Sequence, residues 1–509
     1  MFARAHAVAI VGVRGLPVSV EAYVGRGLPA LHLTGLPGAS VQDARERVRP
    51  AVESSGLEWP LRRVTVNLSP ADLRKEGPGF DLPIAAVVLA ATGQLPRERL
   101  LDYALAGELS LRGELVATPG VLAVAAAAAR DGRRGVIVPA PNAAEARVVE
   151  GIEVIGAPSL ARVAEFLRGS WKPDVDPPAP AVPRVDGLDL AEVRGQPQAR
   201  RALEIAAAGG HNLLFVGSPG AGKTMLARRL PSILPPPSHV EALEVTLLHS
   251  VAGLLPGGAG LVAERPFRAP HHSITPAGLL GGGTPLRPGE VSLSNHGVLF
   301  MDEVNEFRRD ALEGLRQPLE DGRVLIARPA RTVEFPARFT LVAAANPCPC
   351  GFEGEQRRRC RCKPHILESY RHRLSGPLLD RIDLRLRVPR LTRAELMGSQ
   401  AGESSARVRE RVDEARSRQL ARLRGVRARC NAEMSGAEAR RLAALTLEAE
   451  RHLGKAVDRY SLTGRGFDRV LKVARTIADL AASERIEEDH MLEALTYRGE
   501  TPVREAGVA

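Results

Sequence analysis

The sequence is poor in aromatic residues and poorer still in lysine. Aromatic side chains make up 4% of 509 residues, so few platforms exist for stacking nucleic-acid bases. Six of the 70 basic residues are lysine and the other 64 are arginine, against 59 acidic residues, which gives a net charge of +11. Guanidinium groups suit phosphate contact. The charge fits a polyanionic partner and fits a generic arginine-rich surface about equally well.

The sequence also lacks long apolar runs and a disulfide pattern. The longest run, 121–129, is mostly alanine and far shorter than the roughly 20 residues of a membrane span. Residues 1–7 lead into too short a mixed run to form a signal peptide. The five cysteines are odd in number, and four of them lie between 348 and 362. We expect a cytoplasmic protein without a membrane partner.

Length predicts about three domains, and composition marks their limits. Residues 1–171 mix short β-like runs with helical stretches, and a proline-rich linker follows at 172–187. Strands and helices alternate over 188–395, whereas 396–509 has helical periodicity alone. The predicted helices of this last part are 404–423, 436–453, 467–484 and 487–495.

A glycine-rich loop between a strand and a helix is the strongest motif. Its residues are Gly217, Ser218, Pro219, Gly220, Ala221, Gly222, Lys223 and Thr224. An apolar run, 212–216, precedes it, and Met225 continues into a helix. Glycines let backbone N–H groups wrap around a phosphate that faces the positive helix end. Lys223 then reaches the β- and γ-phosphates and Thr224 ligates Mg²⁺, which predicts binding and hydrolysis of a nucleoside triphosphate.

Three polar strand ends complete the expected nucleotide site. Asp302 and Glu303 follow an apolar strand, where Asp302 would hold Mg²⁺ and Glu303 would polarise the attacking water. Asn346 ends a further strand and would orient that water or sense the γ-phosphate, although an Asn before a proline is also a turn residue. Arg381 can neutralise transition-state charge across a subunit boundary, or form a salt bridge with Asp380 or Asp383.

A cysteine cluster suggests a metal site. Its ligands would be Cys348, Cys350, Cys360 and Cys362, which can close a tetrahedral Zn²⁺ site, with His365 as a substitute ligand. The alternative is a loop of reduced cysteines. Because basic residues flank the cluster, we consider a zinc knuckle that contacts DNA phosphate.

Residues 321–335 read as a β-hairpin with arginines near its tip. A family resemblance set out below implies that this hairpin projects into the pore of a ring, which makes Arg328 and Arg331 candidates for sequence-independent contacts with DNA phosphates, unless the hairpin is only solvated. His271 and His272 form an adjacent pair to which we assign no role.

With these motifs in place, the chain resembles the magnesium-chelatase-like ComM/YifB family of AAA+ ATPases over nearly its whole length. The segments that carry the resemblance are 35–41, 45–49, 75–83, 266–272, 288–293, 346–351 and 375–383. The implied fold is an α/β AAA+ P-loop core with a helical lid, after an α+β N-terminal domain that resembles the Lon protease domain. The implied assembly is a hexameric ring with nucleotide between subunits.

The resemblance also assigns roles to single residues. Arg381 matches the position of a trans arginine finger, and Arg465 resembles the sensor-2 arginine of the lid, with Arg469 as the rival. At the Lon-like catalytic positions stand Gly79 and Leu122, where a serine and a lysine are needed. We therefore expect no peptidase activity.

The function implied is an ATP-driven DNA motor that acts as a branch-migration helicase when DNA is integrated by homologous recombination during natural transformation. The alternative is a chelatase-type chaperone that remodels a protein partner. Stimulation of ATP hydrolysis by single-stranded or branched DNA discriminates between the two.

Overall fold

The computed structural model describes residues 1–173, 187–328, 331–355, 358–392, 395 and 402–498. Most of the predicted linker, residues 174–186, lies outside them. In the N-terminal part the strands are β1 (Phe2–Val11), β2 (Arg14–Gly25), β3 (Ala30–Thr34), β4 (Arg63–Ser69), β5 (Tyr103–Leu105), β6 (Glu108–Leu109), β7 (Leu115–Val116), β8 (Gly135–Pro139) and β9 (Glu153–Ala157). Its helices are α1 (Ala39–Gln42), α2 (Ala44–Ser54), α3 (Asp81–Ala91), α4 (Arg97–Leu101), α5 (Val121–Arg130), α6 (Ala143–Ala146) and α7 (Leu160–Arg168).

The N-terminal sheet is mixed and has seven strands in the order β3-β4-β2-β1-β5-β8-β9. The long strands β1 and β2 are antiparallel, with Phe2 opposite Tyr23, while β5, β8 and β9 run parallel to one another. Helix α3 is buried along all 11 residues because it packs on this sheet. Its one acidic residue, Asp81, is tolerated there because Arg47 donates two hydrogen bonds to it.

The central part is built around a second sheet, in which all strands are parallel. Its elements are α8 (Pro197–Gly209), β10 (Leu213–Val216), α9 (Lys223–Ala227), α10 (Leu230–Ile233), α11 (His239–Ala252), β11 (Phe267–Arg268), α12 (Pro276–Leu280), β12 (Gly281–Gly282), β13 (Arg287–Pro288), α13 (Glu290–Leu293), β14 (Val298–Met301), α14 (Arg309–Gly314), α15 (Arg316–Asp321), β15 (Arg323–Arg328), β16 (Arg331–Pro336), β17 (Thr340–Ala345), α16 (Pro364–Arg371), α17 (Gly376–Leu379) and β18 (Leu384–Arg387). The strand order is β11-β14-β17-β10-β18.

Apolar residues run almost without interruption along the central strands. All four residues of β14 are buried, as are five of the six of β17. The strands of parallel sheets have this continuous apolar pattern because helices cover both faces of the sheet. Functional side chains are consequently confined to the strand ends, and the carboxyl ends of β10, β14 and β17 meet at one edge.

Helices alone form the described C-terminal part. They are α18 (Ser405–Arg422), α19 (Gly436–Leu442), α20 (Leu447–Tyr460), α21 (Gly464–Leu480) and α22 (Glu488–Thr496). The expected single helix over 436–453 is wrong: the chain breaks at Ala444, whose φ is +51°, and Leu445 forms a bridge with Ile486. The break lets α20 turn and pack beside α22 instead of continuing α19.

The N-terminal part packs directly against the central part, and two of the contacts involve glycines of the N-terminal part. Gly12, in the turn between β1 and β2, lies against Val333 of β16, and a Cβ at position 12 would come within 2.7 Å of the Val333 side chain. At the second of these contacts, the Gly120 N–H at the start of α5 donates to the Ser250 carbonyl of α11 at 2.9 Å. The predicted hairpin thus touches the N-terminal sheet.

Among the described residues, none of the helices combines the length and the apolarity that crossing a bilayer requires.

Candidate nucleotide site

The glycine-rich loop leaves β10 and enters α9, as predicted. Gly220 and Gly222 have φ values of +80° and +90°, in the left-handed region that favours glycine. Gly217 is needed for a different reason, since a Cβ there would stand 2.4 Å from the Val388 carbonyl oxygen. The loop therefore follows the end of β18 closely before it enters α9.

Lys223 is buried, and its ammonium bonds the oxygens that surround the loop. Its Nζ donates to the carbonyls of Gly217 at 2.6 Å and Ser218 at 3.1 Å, and to Oδ1 of Asn346 at 3.0 Å. Burial lowers the pKa of Lys223, and the nearby carboxylates of Asp302 and Glu303 act in the opposite direction. The structure thus brings together Lys223 and Asn346 from the ends of two neighbouring strands.

Thr224 and Asp302, the two residues expected at Mg²⁺, lie in direct contact. The Thr224 hydroxyl donates to Oδ2 of Asp302 at 2.6 Å, while Oδ1 accepts the Glu303 N–H at 2.9 Å. Glu303 has a φ of +50°, a strained conformation for a residue with a Cβ. The Glu303 side chain is 54% exposed and so accessible to a water molecule.

The structure gives His272 a neighbour that the sequence did not reveal. Its Nδ1 lies 4.0 Å from Oε2 of Glu303, and the rings of His271 and His272 are 4.1 Å apart. His272 therefore stands beside the carboxylate expected to polarise water.

Sequence reasoning missed Arg390. Its Nε donates to the Ser218 hydroxyl at 3.1 Å and its Nη2 to the Pro219 carbonyl at 2.9 Å. Arg390 follows β18, so the strand-end argument used for Asn346 would have found it. It brings a cation to the loop in addition to Lys223.

The four cysteines cluster as predicted. The Sγ atoms of Cys348, Cys350 and Cys360 lie 3.3 to 3.7 Å from one another, and the four candidate ligand atoms, including that of Cys362, are all within 4.8 Å. A tetrahedral Zn²⁺ with bonds of about 2.3 Å needs sulfurs about 3.8 Å apart. Within the described chain His365 does not belong to this group. The Arg361 N–H lowers the pKa of Cys350 to about 6, which favours the thiolate.

The cysteine loop packs against the phosphate-binding loop. A Cβ at Gly351 would stand 2.5 Å from Cδ of Pro219, and Gly351 itself has a φ of +79°. Nearby, the Arg390 guanidinium lies 5.7 Å from the centre of the Phe352 ring. The geometry links the cysteine cluster to the nucleotide loop.

The three candidate arginines lie away from Lys223. The Asn212 amide, which precedes β10, donates to the Arg381 carbonyl at 2.9 Å, so Arg381 sits at the amino edge of the sheet. Arg465 is 62% exposed, whereas Arg469 is largely buried and pairs with Asp383 at 2.6 Å. Arg381 pairs with Glu320, and its side chain is only 5% exposed.

Asp383, the partner of Arg469, makes further contacts in the core. Asp383 also accepts from the Asn212 N–H at 3.1 Å and contacts His211. Burial by itself would raise the pKa of Asp383, but the charge of Arg469 and the His211 hydrogen bond lower it far below its usual range. The buried Asp383–Arg469 pair ties the lid to the core, whereas the Arg465 side chain is exposed.

The predicted hairpin is formed by β15 and β16, with Arg328 paired to Arg331 at its outer end. Arg328 is exposed, and its guanidinium donates to the Gly283 carbonyl. The turn at 329–330 and the Arg331 side chain lie outside the described residues.

The two Lon-like positions differ in accessibility. Gly79 is half-buried, with Gly107 N at 4.0 Å the nearest atom to a Cβ built there, while Leu122, the second residue of α5, is 1% exposed. A buried leucine supplies no amine to activate a nucleophile.

The donor set of the site fits Mg²⁺-bound ATP. One buried ammonium, the amides of the loop and a helix start suit a triphosphate, while the Thr224 hydroxyl and the Asp302 carboxylate are oxygen ligands of the kind Mg²⁺ takes.

The comparisons agree with this reading. Profiles for "Magnesium chelatase, subunit ChlI", "Subunit ChlI of Mg-chelatase" and "Magnesium chelatase, subunit ChlI C-terminal" match residues 189–396, 20–142 and 402–498.

Three of the relatives illustrate these matches, two over nearly the full length of the chain and one over a part of it. The uncharacterized protein YifB of Escherichia coli is 43% identical over 97% of this chain and 96% of its own. The competence protein ComM of Haemophilus influenzae is 43% identical over 96% of both chains. A Lon protease of Chloroflexus aurantiacus is 33% identical over 26% of this chain and 16% of its own. The chain belongs to the ComM/YifB family of magnesium-chelatase-like AAA+ proteins.

Proposed function

We propose that the protein is an ATP-driven, ring-forming DNA motor, a branch-migration helicase that promotes integration of DNA during homologous recombination and natural transformation. The observation that carries the ATPase assignment is the convergence of Lys223, Thr224, Asp302 and Asn346 at one sheet edge. Phosphoryl transfer depends mainly on positioning and charge stabilisation, which this group supplies. We place the motor in the cytoplasm.

A homo-hexamer is part of the proposal. Arg381 of the same chain does not reach the Lys223 site, because it lies before the amino end of β18 and the site lies at the carboxyl ends of the strands. A neighbouring copy supplies the missing charge if Arg381 or Arg465 of one subunit faces the nucleotide of the next. We keep the domain limits 1–171, 188–395 and 396–509 for this assembly.

DNA is proposed as the polymer on which the motor acts. The support is the exposed hairpin with Arg328 at its outer end and Arg331 opposite it, together with the net charge of +11. The name of the ComM relative adds a link to competence. Contacts of this kind follow the phosphate backbone without reading bases, as a translocating motor requires.

Zinc is proposed for the four-cysteine cluster. Sulfur separations near the tetrahedral value support it. Zinc would serve as a structural cross-link that fixes the loop from Cys348 to Cys362 beside Pro219 of the phosphate-binding loop.

The test is the ATPase rate of the purified protein with Mg²⁺, alone and with single-stranded, duplex or four-way-junction DNA of mixed sequence. We expect stimulation by DNA, and strand exchange on the junction substrate only when ATP is hydrolysed. Lys223→Ala controls for contaminating ATPases.

A chelatase-type chaperone is the alternative, favoured by the three chelatase profiles. Hydrolysis that no DNA structure stimulates, with no DNA retained at low salt, would support that function and reject the motor.

A further inference from the structure

Glu320 joins the two arginines that are candidates for contact with a neighbouring nucleotide. Its Oε1 lies 2.5 Å from Nη2 of Arg381 and 3.2 Å from Nη2 of Arg465. One carboxylate oxygen of the core thus binds a core arginine and an arginine from the first turn of the lid helix α21. The pairing with Arg381 lowers the pKa of Glu320, so the carboxylate is ionised at neutral pH.

Arg381 is also held by backbone groups of its own chain. Its Nε donates to the Arg316 carbonyl at 3.1 Å and its Nη1 to the Pro377 carbonyl at 2.6 Å. With these bonds and the Glu320 pair in place, the side chain is 5% exposed. A guanidinium in this position cannot bind a phosphate of another molecule, so it must leave Glu320 before it can act in hydrolysis.

The segment that carries Glu320 leads straight into the hairpin. Helix α15 runs from Arg316 to Asp321 and therefore contains two of the three anchors of Arg381, the Arg316 carbonyl and the Glu320 carboxylate. Gly322, with a φ of +65°, ends the helix, and β15 begins at the next residue. The Ala337 N–H that follows β16 donates to the Gly322 carbonyl at 2.9 Å, so both strands of the hairpin are tied to the end of α15. A displacement of the hairpin is thereby passed to Glu320.

We propose that Glu320 is a latch that holds Arg381 and Arg465 inside the subunit until a polyanionic strand displaces the β15–β16 hairpin and frees them for the nucleotide of the neighbouring copy. This inference rests on the proposed ring-forming motor. Glu320 acts through the arginines and the hairpin and has no contact with the phosphate-binding loop, so it is a positioning residue.

The experiment measures steady-state ATP hydrolysis by the full chain, with Mg²⁺ and with or without a mixed-sequence single-stranded oligonucleotide. Glu320→Gln keeps the size of the side chain and removes its charge. Because the rate without DNA follows the fraction of unlatched Arg381, we expect it to rise about 5-fold, the change that the loss of one good ion pair makes to an equilibrium. The stimulation factor, the rate with DNA divided by the rate without, should fall by the same factor.

Two further variants separate a latch from a merely structural role. Glu313→Gln is the matched control, since Glu313 pairs with Arg316 at 2.8 Å in the same region without contacting Arg381, and it should leave both rates unchanged. The double variant Glu320→Gln, Arg381→Ala should show the rate of Arg381→Ala alone, because the gain passes through Arg381. Should Glu320→Gln fail to assemble, Glu320→Asp retains the charge with a shorter reach and should give an intermediate rate without DNA.

A rate without DNA that is equal to or below wild type in an assembled Glu320→Gln or Glu320→Asp ring would overturn the latch. A wild-type protein that DNA does not stimulate would instead reject the proposed motor, and the comparison of rates without DNA would still decide whether Glu320 restrains Arg381.

Discussion

Lys223 lies at the carboxyl ends of the strands of the five-stranded sheet, and Arg381 lies at their amino ends. Strands β10 and β18 are parallel, with Leu213 opposite Leu384 and Val216 opposite Arg387. Lys223 comes after the carboxyl end of β10, whereas Arg381 comes before the amino end of β18. The four residues of the strand, at about 3.3 Å each, separate its two ends by more than the length of an arginine side chain. If Arg381 acts on a nucleotide held by Lys223, as we propose, it comes from a second copy of the chain.

The first prediction concerns this division of the site. Lys223→Ala should abolish hydrolysis and weaken nucleotide binding, while Arg381→Ala should abolish hydrolysis and leave nucleotide binding intact. Mixing the two inactive variants should restore part of the ATPase rate, because some boundaries then combine an intact Lys223 with an intact Arg381. Turnover and fluorescent-nucleotide binding measure both effects. Full activity of Arg381→Ala alone would mean that one subunit contains the whole site.

The second prediction concerns the exposed carboxylate of the site. Glu303→Gln should lower the hydrolysis rate by about 10²- to 10⁴-fold, the usual contribution of a general base, and should retain ATP binding. Glu306→Gln is the control three residues away, where the carboxylate pairs with Arg373 at 2.8 Å on the surface. Single-turnover kinetics distinguish slow chemistry from slow product release. Equal rates for both variants would remove Glu303 from the mechanism.

The third prediction separates Arg465 from Arg469. Arg469→Ala leaves Asp383 buried without its ion-pair partner and should cost about 3–5 kcal/mol of unfolding free energy, whereas Arg465→Ala should change stability little and hydrolysis strongly. Chemical denaturation and ATPase rates give the two readouts.

The Asp383 pair also has a defined dependence on pH. The pKa of Asp383 is lower in the folded chain than in the unfolded one, so its stabilisation is present above about pH 4, the unfolded value, and is lost as the pH falls through the folded pKa. Asp383→Asn should therefore flatten the loss of stability on acidification below pH 4. An acid profile identical to that of wild type would show that other carboxylates control it.

The fourth prediction concerns the cysteine cluster. Cys360→Ser should lower the zinc content of purified protein and also raise the KM for ATP, since the cysteine loop packs on Pro219 through Gly351. Cys430→Ala is the control, because this cysteine lies outside the cluster and should leave the zinc content unchanged. Zinc is measured by a colorimetric chelator after denaturation. A zinc-free wild-type protein with the same KM as Cys360→Ser would argue for an ordinary loop of reduced cysteines.

The fifth prediction concerns the hairpin. Arg328→Ala combined with Arg331→Ala should weaken binding of single-stranded DNA of any sequence and lower the slope of log affinity against log salt by about 2. Arg323→Ala is the matched control at the base of the hairpin, where Arg323 pairs with Glu334 at 3.3 Å. Fluorescence anisotropy over a range of salt concentrations gives both numbers. DNA affinity that neither substitution alters would move the contact surface elsewhere.

The sequence by itself determined the chemistry of the phosphate-binding loop and the strand ends that serve it. Loop glycines, Lys223, Asp302 and Asn346 are fixed by local rules: a buried strand must end in a loop, and parallel strands end at a common edge. The hairpin was predictable for the same reason, because alternation and a turn are local signals. The helix over 436–453 failed where a left-handed Ala444 and a distant bridge to Ile486 overrode periodicity.

Only the tertiary structure decided which partner each arginine takes. In the sequence Arg381 had Asp380 and Asp383 as neighbours, yet in the fold it pairs with Glu320, while Asp383 binds Arg469. Likewise, Arg390 comes to lie on the phosphate-binding loop and the cysteine loop packs against Pro219. Guanidinium groups are long and find carboxylates across elements far apart in the chain, so their pairing depends on how the sheets and helices pack rather than on spacing along the sequence.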